Sequence, residues 1–223
     1  MPRSVTLCAL ALFSGAFYLY AVSSADLWLA LAAKPIPVLI LLLWLTTAPA
    51  TPYRQRIMLG LGFSIIGDIA LAWPGDLFVA GLAAFLCAHL AYLWAYLHRT
   101  RAPAFGALLL AALCGAGLFG LLAYHGLGGL FIPVALYALT ISAMLWRALA
   151  CGGVAAFGAM SFVLSDSLIG IDRFVSAFAA APYLIILFYW LGQWAIALSA
   201  RHAQSAQSSE ALTQAPTPVG KSV

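Results

Sequence analysis

The chain has 223 residues, of which 65% are hydrophobic and 7% charged, and its mean hydropathy is +1.05. A soluble domain carries about 25% charged residues, so most of this surface cannot be wetted. Soluble, disordered and nucleic-acid-binding classes are excluded in favour of an all-α integral membrane protein. Ten Lys+Arg against six Asp+Glu give a net charge of +4, a surplus expected of cytoplasmic loops. Four cysteines, Cys8, Cys87, Cys114 and Cys151, lie in or beside apolar stretches with no Cys-x-x-Cys spacing. That pattern predicts packed thiols, with neither a disulfide framework nor a zinc site.

A spanning helix needs about 20 apolar residues, and eight segments qualify: 5–24, 28–48, 57–73, 77–97, 104–123, 129–149, 153–170 and 174–198. The first, with Arg3 before it and Ser23-Ser24-Ala25 after it, also looks like a signal peptide. Its length and the seven segments that follow favour a first span. Pro49 and Pro52 flank one break, Trp73-Pro74-Gly75-Asp76 forms a tight turn, and Arg101-Ala102-Pro103 and Gly126–Gly129 mark two more. Cys151-Gly152-Gly153 separates the sixth span from the seventh. Residues 201–223, rich in Ser, Gln, Ala, Thr and Pro, are expected to form a disordered cytoplasmic tail after a catalytic domain over 1–200.

With eight spans, the termini and the even-numbered connections share one side. That side receives Arg3, Arg54, Arg56, Arg99, Arg101, Arg147, Arg201 and Lys221, while Lys34 and Arg173 fall toward the other. The asymmetry predicts both termini in the cytoplasm. Trp28, Trp44, Trp73, Trp94, Trp146 and Trp194 sit near span ends, as an aromatic belt requires, and Trp190 lies one turn deeper.

Ionisable residues inside a bilayer are expensive and usually face the bundle interior at functional sites. Asp68 lies in Gly60-Leu-Gly-Phe-Ser-Ile-Ile-Gly-Asp68, with Ser64 one turn earlier on the same face. Gly60 and Gly67 permit a close helix neighbour. Asp166 lies at a comparable depth in the seventh span, which runs parallel to the third, so the two carboxyls are expected to meet at one level. Lys34 begins Lys34-Pro35-Ile-Pro37, where two prolines remove backbone donors and distort the turn. Its ammonium is a candidate partner for an aspartate or a lipid phosphate; snorkelling to the interface is the plainer reading. Asp172-Arg173 ends the seventh span and suits either a headgroup or a local ion pair. His89 is mid-span, with Phe85, Tyr92 and Tyr96 at helical spacing. A metal hydrolase needs three or more converging ligands, and only one histidine lies deep. No metal or other cofactor is expected.

Lys34-Pro35, Ser64-Ile-Ile-Gly67-Asp68, Phe85, His89-Leu-Ala-Tyr92 and Ser165-Asp166-Ser167 leading into Asp172-Arg173-Phe174 together resemble the YhhN-type lysoplasmalogenase family. The resemblance covers roughly residues 5–198. It implies a multi-pass hydrolase that cleaves the vinyl ether bond of a lysoplasmalogen to a fatty aldehyde and a glycerophospho-base. It also implies that Asp68 and Asp166 are the catalytic pair. Lys34, Ser64, His89, Tyr92, Ser165, Asp172 and Arg173 are carried over as candidate substrate-binding positions. The implied partners are a lysophospholipid in the bilayer and water, and the implied location is a bacterial inner (plasma) membrane.

Two carboxyls suit this chemistry. Protonation of a vinyl ether at carbon creates an oxocarbenium ion, so one protonated acid and one neighbouring negative charge are required, as in glycosidases. The alternatives on the same residues are a proton- or cation-coupled secondary transporter, and a scaffold in which the aspartates only pair with Lys34 and Arg173.

Overall fold

The computed structural model describes residues 3–213, which form helices and short connections with no strand among the described residues. With no water in the hydrocarbon to bond free N–H and C=O groups, helices satisfy the backbone internally. In chain order they are α1 (Arg3–Ser23), α2 (Leu27–Ala33), α3 (Ile36–Thr46), α4 (Pro52–Ala72), α5 (Phe78–Arg99), α6 (Phe105–His125), α7 (Phe131–Cys151), α8 (Gly153–Phe174) and α9 (Ala181–Thr213). Seven segments among the described residues are long and apolar enough to cross a membrane, with α2 and α3 acting together over Leu27–Thr46. The 21-residue α1 precedes them. The protein is thus an all-helical, multi-pass membrane protein.

Three helix ends differ from the sequence expectation, each for a local reason. The second span is interrupted at Lys34-Pro35, because Pro35 and Pro37 have no N–H to bond back four residues. Both Lys34 (φ −55°) and Pro35 (φ −77°) stay right-handed, so the two pieces continue as one crossing. α4 begins at Pro52, ahead of the predicted residue 57. Thr51 caps it, its hydroxyl accepting from the Arg54 N–H at 3.1 Å, and Pro52 takes the first turn. Arg54 and Arg56 interrupt the apolar window without interrupting the helix. α9 begins at Ala181, after the predicted 174, because the Asp172 carboxylate accepts from the Phe178 N–H at 3.1 Å and folds the intervening apolar residues into a turn. It then runs to Thr213, past the residue where the composition turns polar; residues 214–223 of the expected tail lie outside the described residues.

The core is two tight pairs, α4 on α5 and α8 on α9, with α7 beside α5 and α6 at the periphery. On α6 only Ala111 and Leu122 are buried. Cys87 and Cys114 are exposed on the outer faces of α5 and α6, which corrects the packed-thiol expectation for both. Neither is needed to fill the core, and a thiol is apolar enough to face lipid.

Arg54, Arg56, Arg99, Arg101, Arg147 and Arg201 gather at one end of the bundle, termed the basic end. They do more there than mark topology. The Arg54 guanidinium donates to the carbonyls of Leu45 (3.2 Å) and Ala48, closing the C-terminus of α3, where carbonyls lack helical donors. Arg147 donates to the Ala102 carbonyl at 2.8 Å and to that of Thr100, tying down the α5–α6 connection. Arg56 and Arg201 stack over Trp94 and Trp44 at 4.2 and 4.5 Å, joining the aromatic belt to the basic ring. Asp26, Asp76, Asp172 and Arg173 occupy the opposite end.

Candidate active site

Glycine on α4 sets the first half of the site. A Cβ at Gly60 would lie 2.1 Å from the Tyr92 ring, and one at Gly67 would lie 2.6 Å from the Phe85 ring. Only glycine lets α5 approach this closely, and the approach brings Tyr92 and Phe85 against the face that carries Ser64 and Asp68. On the other side, a Cβ at Gly158 would stand 2.8 Å from the Ile196 backbone nitrogen, and one at Gly192 would stand 2.9 Å from that of Phe162. This crossing of α8 and α9 brings Tyr189 and Gln193 into the interior.

Asp68 is 1% exposed. The Tyr189 hydroxyl donates to its Oδ2 at 2.7 Å, and the Lys34 ammonium stands 4.0 Å from its Oδ1. The break before α3 therefore places the lysine inside the bundle, facing an aspartate. Tyr92 donates to Gln193 Oε1 at 2.7 Å, and its oxygen is 3.5 Å from the Ser64 hydroxyl.

Asp166 belongs to a second cluster, in the same half of the bundle toward the end opposite the arginines. Its Oδ2 accepts from the Tyr137 hydroxyl at 2.5 Å and lies 3.6 Å from His89 Nε2. His89 Nδ1 is 2.7 Å from the Phe85 carbonyl. A carbonyl only accepts, so Nδ1 carries the hydrogen and a neutral His89 presents Nε2 as an acceptor toward the carboxyl. The His89 ring is fully buried, edge-on to Tyr137 (5.3 Å) and Phe162 (4.7 Å).

No hydrogen bond or ion pair joins the two carboxyls among the described residues. They are connected through packed rings: Tyr189 on Asp68 meets Phe162 at 5.3 Å and Phe85 at 5.7 Å, and Phe162 meets His89. Asp68 Oδ1, His89 Nε2 and Gln193 Nε2 are buried without a hydrogen-bond partner among these residues. Such atoms cost about 1–3 kcal/mol each, so each leaves hydrogen-bonding capacity unused inside the site.

The remaining candidates have local partners. Ser165 donates to the Ile185 carbonyl at 2.9 Å, a contact between α8 and α9. Asp172 holds the turn before α9. Arg173 bonds Asp76 at 3.2 Å and lies over the Phe78 ring at 3.9 Å. Tyr137, Tyr189 and Gln193 were not singled out from the sequence. Their signal is a polar side chain far from either end of an apolar helix, which charge counting passes over. Among the described residues no group of three or more His, Cys, Asp or Glu is placed to hold a metal ion.

An apolar cavity of about 110 Å³ lies between α5, α6, α7 and α8, and Asp166 and Tyr137 face it. Asp68 does not line it.

Comparison with known proteins follows the same outline. The model of the YhhN family matches residues 29–200. Human lysoplasmalogenase TMEM86B is 40% identical over 175 residues, 78% of this chain and 76% of that protein. The pig protein of the same name is 35% identical over 184 residues, 82% of this chain and 80% of its own length. A lysoplasmalogenase of Mycobacterium tuberculosis is 36% identical over 163 residues, covering 63% of this chain and 62% of that one. No solved structure matches.

Proposed function

The chain belongs to the YhhN family, and from that premise we propose that it is a membrane hydrolase that cleaves the vinyl ether bond of a lysoplasmalogen, with water as the second substrate. The carrying observation is the pair of carboxyls buried in apolar helices, each held by a tyrosine hydroxyl in relatives' company that is named for this reaction. Those names lend nothing to the transporter reading of the same aspartates.

The reaction begins with proton transfer from a carboxylic acid to the outer alkenyl carbon. The electron pair of the double bond forms the new C–H bond, and the ether oxygen stabilises the resulting cation. Water adds to the oxocarbenium carbon and loses a proton, giving a hemiacetal. The hemiacetal collapses to a fatty aldehyde as the glycerol oxygen leaves with a proton. The acid must be protonated and the second carboxyl ionised, so that negative charge opposes the developing cation in a water-poor site. Lys34 is the basic partner of Asp68, and the acceptor nitrogen of His89 gives a proton a place to rest near Asp166. Arg173, at the bundle end, is the cation available to a phosphate. The proposed setting is a bacterial inner membrane with both termini in the cytoplasm, as the arginine-rich end favours.

Asp68→Asn and Asp166→Asn proteins, matched to wild type for folding in detergent, test this by aldehyde release from lysoplasmenylcholine and lysoplasmenylethanolamine. General acid catalysis contributes about 10²–10⁴-fold, so loss of the acid is expected to lower turnover by that order. Wild-type rates in either variant remove that residue from the mechanism.

A further inference from the structure

We propose that the cavity between α5, α6, α7 and α8 binds the alkenyl chain of the substrate, with the vinyl ether at Asp166, the phosphate at Arg173 and the chain running toward the middle of the bilayer. The inference rests on the hydrolase reading and adds to it the pose of the lipid and the assignment of Asp166 as the acid.

The chemistry requires the acid to stand beside the chain, because the carbon that takes the proton is itself a chain carbon. Of the two aspartates only Asp166 lines the cavity. Both of its contacts, Tyr137 and His89, fall on Oδ2. Neither contact falls on Oδ1, which on this reading is the oxygen that delivers the proton. Asp68, which faces Lys34 and accepts from Tyr189, is on this reading the carboxyl that opposes the developing cation.

Direction follows from the two ends of the cavity. Toward the opposite end from the arginines it is bounded by Phe78 and Phe174, whose rings meet at 5.9 Å. Arg173 lies over Phe78 there, bonded to the exposed Asp76. That is the wet end. From mid-bilayer on toward the basic end the walls are Ala111, Ile141 and Leu145, with Ser142 already bonded to the Ala138 carbonyl at 2.7 Å. The polar headgroup belongs at the first end and the hydrocarbon at the second.

The spacing agrees. Asp166 and Arg173 are seven residues apart on α8, two turns along one face, a rise of about 10 Å. Seven bonds separate the protonated alkenyl carbon from the phosphorus of a lysoplasmalogen, about 8 Å when extended. Hydrogen-bond reach at each end accounts for the difference. From Tyr137 to Leu145 α7 rises about 12 Å, the extended length of roughly ten chain carbons.

The test uses the full-length protein in detergent micelles and a non-hydrolysable alkyl-ether lysophosphatidylethanolamine with a diazirine at its chain end. Photolysis is expected to label α6 and α7 peptides containing Ala111, Ile141 or Leu145, and excess lysoplasmenylethanolamine to suppress the label. Label on α1–α4 or α9, or label that the competitor does not suppress, overturns the chain site. In a second arm, Ile141→Trp and Ala111→Phe are assayed on a series of alkenyl chain lengths. Overfilling the deep end is expected to lower turnover of long chains relative to short ones by about tenfold. An equal loss at every length overturns the pose. The hydrolase reading is scored separately by wild-type aldehyde release: release with label elsewhere sinks the chain site alone, and competed label in the cavity without release sinks the reaction alone.

Discussion

Replacing Tyr137 by phenylalanine removes one oxygen and leaves the ring that packs edge-on against His89 at 5.3 Å. What is lost is the 2.5 Å hydrogen bond to Asp166 Oδ2. While Asp166 is protonated that bond is ordinary. As the proton leaves for carbon, the carboxyl becomes an anion and a far better acceptor, so the bond strengthens in the transition state. Hydrogen bonds to charged groups contribute about 1.5–3 kcal/mol, and each 1.36 kcal/mol is tenfold in rate. Tyr137→Phe is therefore expected to lower kcat by about 10–100-fold with KM nearly unchanged, since the bond acts on the transition state more than on bound substrate. The assay is steady-state aldehyde release from lysoplasmenylethanolamine in detergent, at matched thermal stability. A kcat within about twofold of wild type, or a change in KM alone, refutes the assignment of Asp166 as the acid supported by this hydroxyl.

Lys34→Met is expected to destabilise the fold by a few kcal/mol, because removing one partner of a buried ion pair strands the other. Adding Asp68→Asn should recover part of the loss, so additive shifts in Tm would show that the 4.0 Å pair is not coupled. Gly60→Ala is expected to cost about 1–3 kcal/mol by overpacking and to lower activity, because its Cβ falls within the Tyr92 ring and pushes that residue off Gln193; unchanged Tm and turnover would contradict the packing described. Exhaustive chelation should leave aldehyde release unchanged, and a loss restored by a divalent ion would demand a metal site. A reporter fused after Val223 is expected in the cytoplasm, and its detection outside would reverse the topology.

Most of the fold is legible because lipid simplifies the reading. Apolar length gives the crossings, and the breaks at Trp73-Pro74-Gly75-Asp76 and Gly152-Gly153 depend on residues that cannot continue a helix; both Gly152 (φ 70°) and Gly153 (φ 55°) are left-handed. Boundaries go astray where the local cause is a side-chain bond. The Asp172 contact with Phe178 folds an apolar stretch that has no breaker of its own. The two aspartates and their shared half of the bundle are legible from charge alone. Their partners are not, because Tyr137 and Tyr189 come from helices remote in sequence and read as ordinary aromatic residues. The separation of the carboxyls is also beyond sequence: equal depth on parallel helices does not fix rotation, and each carboxyl has its own partners, Tyr189 and Lys34 for Asp68, Tyr137 and His89 for Asp166.

The two clusters neutralise their carboxyls by different means, and this difference divides the chemistry. Beside Asp68, at 4.0 Å, stands Lys34, a basic side chain that can balance a carboxylate charge against charge. Beside Asp166 stands an imidazole whose Nδ1 hydrogen is committed to the Phe85 carbonyl, leaving a lone pair on Nε2. A lone pair facing a carboxylate is repulsive, and protonation of the carboxyl relieves it. Tyr137 donates to the same oxygen and so tolerates the carboxyl in either state. On the proposed mechanism this second cluster holds the mobile proton at the wall of the apolar cavity, gives it to a chain carbon and regains one, through His89, from the water that completes the hydrolysis. Between the Asp68 cluster and this one the described contacts are ring on ring, Tyr189 to Phe162 and Phe162 to His89, and phenyl rings offer a proton no acceptor.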